Sequence, residues 1–200
     1  SRPVHLTSCR NQEDGRSFGQ YLTDTLSDML IPTFEAGASS FFYDSLALDT
    51  NSGPAQNGCT DCRSLVSIDN GGSMTANAEY YAFGHISKFL QDNAELISST
   101  SGSQDVSTLA YKNPDNTVVV VLVNNTTNTL DVDVNWQGQY TQVELAGFDV
   151  VSLVWDTDNS PVVDLQQIGQ TNTLAQNIYQ LIDSARDSNG LYRPFLNADA

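Results

Sequence analysis

Two hundred residues, 40% hydrophobic and only 16% charged, hold enough apolar material for a folded core, which excludes a disordered tail. Acidic residues outnumber basic ones 24 to 8, and the resulting net charge of −16 repels nucleic-acid phosphates and anionic lipids, so neither is expected as a partner. The longest apolar run, residues 118–123, is too short to cross a bilayer, so no transmembrane segment is expected.

Arg2-Pro-Val-His-Leu-Thr7 reads as a short strand. Asp14-Gly15 breaks the chain, and Ser17 is placed to cap a helix on which Phe18, Leu22, Leu26, Met29 and Leu30 share one face. Pro32 and Gly37 are expected to close that helix. Residues 39–48 then return as an apolar strand of the kind buried on both faces. A Gly/Asn/Ser-rich loop over 49–72 is interrupted by the strand-like Ser64-Leu-Val-Ser-Ile68. The next helix is expected over 77–91, with Asn77 as N-cap and Glu79 in the first turn, where the helix dipole favours an acid. Its residues Ala82, Phe83, Ile86, Phe89 and Leu90 share a face fit for packing on a strand. Alternating strands and helices imply parallel strands joined by crossovers, so residues 1–98 form the first domain.

Residues 99–156 have a different texture. Strands are expected over 106–112, 117–124, 130–136, 140–145 and 150–155, separated by turns at Asn113-Pro-Asp-Asn116, at 124–128, at Gln137-Gly138 and at Gly147. The strand at 117–124 is apolar enough to sit centrally. In Leu130-Asp-Val-Asp-Val-Asn-Trp136 the period of two turns Leu130, Val132, Val134 and Trp136 inward and Asp131, Asp133 and Asn135 outward. Short strands with regular turns predict an antiparallel sheet or sandwich. Residues 157–200 form an extension, with a helix carrying Leu174, Ile178, Leu181, Ile182 and Ala185 on one face.

The cysteines are Cys9, Cys59 and Cys62. Cys59-Thr-Asp-Cys62 reads as a local disulfide pinning a long loop; a redox pair, or a zinc site completed by Cys9 with His5 or His85, are the alternatives. No metal and no cofactor are expected. Asn124-Asn-Thr126 and Asn125-Thr-Thr127 both fit the glycosylation sequon, and Asn124 is taken as the acceptor. No signal peptide is visible and the chain starts at Ser1, as expected for a processed product or a fragment; the sequons point to an extracellular, secreted protein.

Phe41-Phe-Tyr-Asp-Ser-Leu-Ala-Leu-Asp49, the loop after it, and Asn77-Ala-Glu-Tyr-Tyr-Ala-Phe-Gly-His-Ile-Ser-Lys-Phe-Leu90 together resemble the last strand, loop and helix of the (β/α)8 barrel of glycoside hydrolase family 30. That family includes glucosylceramidases and endo-β-1,6-glucanases. The resemblance covers residues 3–155 and implies an α/β plus all-β chain: the C-terminal strands and helices of a barrel, followed by an antiparallel β-sandwich. The family strand that reads like His-Phe-Thr-Glu-Cys carries the nucleophilic Glu; here it reads His5-Leu-Thr-Ser-Cys9, so Ser8 occupies the nucleophile's position. The family's Trp-Asn-Leu-Ala-Leu-Asp becomes Asp44-Ser-Leu-Ala-Leu-Asp49, placing Asp44 and Ser45 at substrate-binding positions. The family's acid/base Glu lies upstream of Ser1. The cysteine-bearing loop looks like that of fungal and oomycete β-1,6-glucanases.

A retaining glycosidase needs two carboxyl groups about 5–5.5 Å apart, one as nucleophile and one as acid/base. A serine hydroxyl does not replace the first without a partner base. His5, three residues before Ser8 on a strand, is expected on the opposite face. Asp44, near the carboxyl end of its strand, where barrel enzymes place their sites, is the candidate for a relocated nucleophile, and Glu13 and Asp14 lie in the loop after Ser8. The resemblance therefore implies the C-terminal portion of a hydrolase of β-glucosidic bonds, inactive as this chain, whose partner is a β-glucan or a glycolipid glycan. The alternative is a divergent, non-catalytic glycan-binding or interaction protein.

Overall fold

Ser17 opens the first helix with a full capping box: its hydroxyl accepts from the Gln20 N–H (3.2 Å), and the Gln20 side chain accepts from the Ser17 N–H (2.9 Å). In the computed structural model, which describes residues 3–54 and 58–157, this helix is α1 (Phe18–Asp24). It does not stop at Pro32. A π-helical turn (Thr25–Leu30), in which the Ile31 N–H reaches back five residues to the Leu26 carbonyl, leads into α2 (Ile31–Glu35). Pro32 sits in the first turn of α2, where its missing N–H costs little and the widened turn ahead relieves its ring. Tyr21, Leu22, Leu26, Leu30 and Ile31 are buried along this helical run.

The described residues fall into two compact units, the first ending at Gly84 and the second beginning at His85. In the first, β1 (His5–Cys9) and β2 (Ser40–Tyr43) flank the helical run and pair in parallel, as strand–helix–strand order requires. Leu6 pairs with Phe41 and Cys9 with Tyr43, so β1 carries one extra residue between them, a bulge over Thr7 and Ser8. The single strand expected over 39–48 is broken at residues 44–46, and β3 (Ala47–Asp49) joins a different sheet. There it pairs in parallel with β4 (Val66–Ile68), which pairs antiparallel with β5 (Met74–Ala76), a strand that the sequence pattern misses. Nor is this stretch buried on both faces: Phe42 is 56% and Leu46 72% exposed, because β2 and β3 each have one strand neighbour among the described residues.

Helix α3 (Ala78–Ser87) is shorter than its apolar pattern suggests. Asn77 spends its side chain elsewhere than on a cap: its amide donates to the Ser64 carbonyl (2.8 Å) and the Ser67 hydroxyl (2.9 Å), fastening the helix start to the β4 segment.

In the second unit β6 (Glu95–Ile97), β7 (Val106–Lys112), β8 (Thr117–Asn124) and β11 (Val150–Asp156) form an antiparallel sheet in the order β11-β8-β7-β6, with the apolar β8 central as expected. Val118, Val119, Val121 and Val123 are fully buried, each worth about 1.5–3 kcal/mol relative to exposure. Facing this sheet, β9 (Leu130–Trp136) and β10 (Gln139–Leu145) form a hairpin. Its turn, Gln137-Gly138, has φ of 52° and 85°, the pair of positive values that suits the strands' right-handed twist. On β9 Asp131, Asp133 and Asn135 are exposed while Leu130, Val132, Val134 and Trp136 turn toward the core. Trp136 and Trp155 meet edge to face, centroids 5.7 Å apart, against Ala110, Val120, Leu122, Leu145 and Leu153. His85 is buried, its Nδ1 3.0 Å from the Ser152 hydroxyl, which donates to the His85 carbonyl. The helix expected near residues 172–185 lies outside the described residues.

Candidate functional site

The carboxyl ends of two parallel strands are natural places for chemistry, because loops leave both strands on the same side. Here β1 and β2 deliver Arg10 and Asp44, the first residues past each strand, and these two form an ion pair. The Asn11 N–H donates to the Tyr43 hydroxyl at 2.9 Å, tying the same two strand ends together. Ser45 follows Asp44, and its carbonyl accepts from the Leu65 N–H. Ser8 lies in the β1 bulge. His5 has a different partner, with Nδ1 2.7 Å from the Ser40 hydroxyl.

Behind this pair is a network that sequence reasoning missed. Glu79 is fully buried, yet its carboxylate accepts from Arg63 Nε at 2.7 Å, from Arg63 Nη2 at 3.2 Å and from Asn11 Nδ2 at 3.1 Å. Arg63 also pairs with Glu13 and lies over the Tyr21 ring, 3.7 Å from its centroid. The Tyr21 hydroxyl is 2.8 Å from Asp14 and 3.0 Å from Glu13, and Arg16 joins Asp14 (2.8 Å) to Asp24 (2.7 Å). A cleft of about 360 Å³ opens beside these groups, lined by Arg10, Asn11, Asp14, Arg16, Asp24 and Asp28.

The charges follow from these contacts. Hydrogen bonds from Arg16, then from Tyr21, lower the Asp14 carboxyl to about 2. Asp14 in turn raises Arg16. Burial alone would lower Arg63, but Glu79 and Glu13 outweigh it and the guanidinium is raised. Burial raises the Tyr43 phenol. Five acids at this end of β1 are thus distributed over three arginines: Asp44 on Arg10, Asp14 and Asp24 on Arg16, Glu13 and Glu79 on Arg63. Such clamped carboxylates hold loops in place and present charge. One signal in the sequence marks Glu79: it precedes Ala82 by three residues and Ile86 by seven, so it lies on the helix's apolar face, where a carboxylate needs a cation.

The Cys59–Cys62 loop adjoins this network, since Cys62 forms a β-bridge with Gln12 and the Glu13 N–H donates to the Asp61 carbonyl. Cys59 and Cys62 are joined by a disulfide of 2.05 Å, which leaves neither sulfur as a thiolate ligand. Asn124, expected to carry a glycan, is fully buried. Its Nδ2, the atom a glycan would occupy, donates to the carbonyls of Asn128 (2.7 Å), Ala146 (2.8 Å) and Leu145 (3.2 Å). Asn124 is therefore the organiser of a turn, with its amide committed to that turn.

Residues 93–152 match the β-sandwich domain of glycosyl hydrolase family 30. The chain is also 31% identical over 115 residues to the endo-1,6-β-D-glucanase neg1 of Aspergillus fumigatus. Residues 93–152 thus carry a family 30 β-sandwich, and the chain is similar to the C-terminal portion of family 30 proteins. A second relative, the endo-1,6-β-D-glucanase BGN16.3 of Trichoderma harzianum, is 40% identical over 72 residues. The alignments cover 54% and 34% of this chain but only 23% and 14% of the two glucanases, so the chain spans a minor part of either. The crystal structure of SrfJ from Salmonella typhimurium shares the fold over 78% of this chain and 35% of its own, with a TM-score of 0.70 at 21% identity. The family 30 sandwich match lies wholly within the second unit and takes in β6 to β10 with the start of β11.

Proposed function

We propose that the protein carrying this chain is a family 30-like glycoside hydrolase built for β-glucosidic bonds, with β-1,6-linked glucan the leading substrate and glucosyl glycolipids the second class. One observation carries this reading: both curated relatives described above are named endo-1,6-β-D-glucanases, at 31% and 40% identity. The residues before β6 supply the last strands and helices of a (β/α)8 barrel, the strands from β6 to β11 the sandwich, and residues 157–200 an extension. The parallel β1–β2 pair with its intervening helix supports the barrel assignment. The local Cys59–Cys62 disulfide supports an oxidising, extracellular setting.

In this reading Ser8 holds the nucleophile's position, Asp44 and Ser45 hold substrate positions, and the acid/base carboxylate comes from upstream. Retaining hydrolysis begins with a carboxylate attacking the anomeric carbon while an acid protonates the leaving oxygen. Ser8 brings no carboxylate, and His5, the histidine on its strand, is engaged with Ser40. The chain by itself is therefore inactive. The arginine clamp on Asp44 favours a second reading, a non-catalytic relative that binds glycan without cleaving it.

The substrate class is tested by affinity electrophoresis of the full-length protein through gels holding β-1,6-glucan, β-1,3-glucan or xylan, alongside sedimentation with glucosylceramide vesicles. Retardation strongest in β-1,6-glucan is expected. Equal migration in every gel, with no vesicle binding, would overturn the assignment.

A further inference from the structure

The overlapping sequons at 124–127 offer two acceptors one residue apart, and their surroundings differ sharply. The Asn124 amide is saturated: besides its three donated hydrogen bonds, its Oδ1 accepts from the Thr126 N–H (2.9 Å) and hydroxyl (2.8 Å). Asn125 is half-buried at the rim of the same turn. Its Nδ2 donates to the Ser107 hydroxyl at 2.8 Å, and its sequon threonine, Thr127, is exposed, as are Asn128 and Thr129 after it.

We propose that Asn125 is the N-glycan acceptor of this domain. The Asn125 Nδ2 attacks the anomeric carbon of an oligosaccharide linked to a lipid pyrophosphate. The C–O bond to the pyrophosphate breaks and its electron pair leaves with the lipid pyrophosphate, while the amide gives up one proton; nothing is oxidised or reduced. The product is a secondary amide that keeps one N–H as a donor. The same change at Asn124 would remove donors from three carbonyls, one of them on the fully buried Leu145. The glycan would sit at the turn between β8 and β9, clear of the carboxyl ends of β1 and β2 in sequence and in role.

This inference rests on the extracellular localisation proposed above, and the experiment scores acceptor choice separately by directing the full-length protein into a eukaryotic secretory pathway with a cleavable signal sequence. Enzymatic glycan release in heavy-oxygen water, followed by peptide mapping, converts the used asparagine to a labelled aspartate. The label is expected at Asn125 and not at Asn124. Thr127→Ala destroys only the Asn125 sequon and is expected to abolish modification; Thr126→Ala destroys only the Asn124 sequon and is expected to preserve it. An unlabelled secreted protein, a label at Asn124, or loss in Thr126→Ala with retention in Thr127→Ala would overturn the proposal. The wild-type map needs no variant to fold. Fractionation of the native protein tests the localisation itself.

Discussion

The two units of this chain solve the problem of burial with different materials. The first places a carboxylate at the heart of its packing, Glu79, and holds it with Arg63 and Asn11. The second stacks valines along β8 and closes them with Val143, Leu145, Leu153 and Trp155. Apolar ladders stabilise without demanding particular partners, whereas a buried ion pair adds little net stability but is costly to break on one side. The charged unit therefore carries positional information at the strand ends, and the sandwich carries bulk stability.

Removing one partner of the network makes the sharpest test. Glu79→Ala leaves the Arg63 guanidinium largely buried without its main anion, and a loss of about 3–5 kcal/mol is expected in the helical far-ultraviolet signal on denaturation. Both tryptophans of the chain, Trp136 and Trp155, lie in the sandwich, so their fluorescence reports that unit. Its transition should stay in place in Glu79→Ala; an equal shift of both signals would break the comparison. Leu153→Ala should act the other way, moving the fluorescence transition by about 2–5 kcal/mol through an unfilled core. Gly147→Ala is expected to cost about 1–3 kcal/mol, because a Cβ there would stand 2.3 Å from the Thr127 carbonyl oxygen and push on the turn that Asn124 organises. A stability unchanged within error would show that turn to be free to shift.

The smallest effect is a pH dependence. Asp14 is lowered from 3.8 to about 2 by Arg16 and Tyr21, so its contribution is fully present above 3.8 and is lost as pH falls through 2. Melting curves followed by the helical signal should fall over that window, and Asp14→Asn should lack its share of the fall. Identical profiles for the two proteins would show that the bonds to Arg16 and Tyr21 do not survive in solution.

Much of the sandwich was legible in the sequence because its signals are local. The alternation over Leu130-Asp-Val-Asp-Val-Asn-Trp136, the apolar run of β8 and the Ser17 cap each state their own geometry. The first unit was harder to read. Pro32 looked like a stop because the π turn that admits it leaves no mark in composition. Residues 39–48 looked like one buried strand because nothing in an apolar run announces a change of sheet at 44–46. The site's positions came from a family motif, but its clamps join residues 34, 50 and 16 apart: Arg10 to Asp44, Glu13 to Arg63, and Arg63 to Glu79. Charged residues that far apart carry no pairing signal in a single sequence. Asn124 shows the reverse error, a motif that matched while the fold had already committed the side chain.

Release of reducing sugar from β-1,6-glucan by the full-length protein, with its Ser8→Glu variant beside it, tests most directly whether a family 30 sugar site has lost its nucleophile at this strand. Hydrolysis is expected only from Ser8→Glu. Hydrolysis by the unmodified protein that Asp44→Asn abolishes would contradict it by placing the nucleophile at Asp44, and hydrolysis by neither would contradict it in favour of a glycan-binding protein.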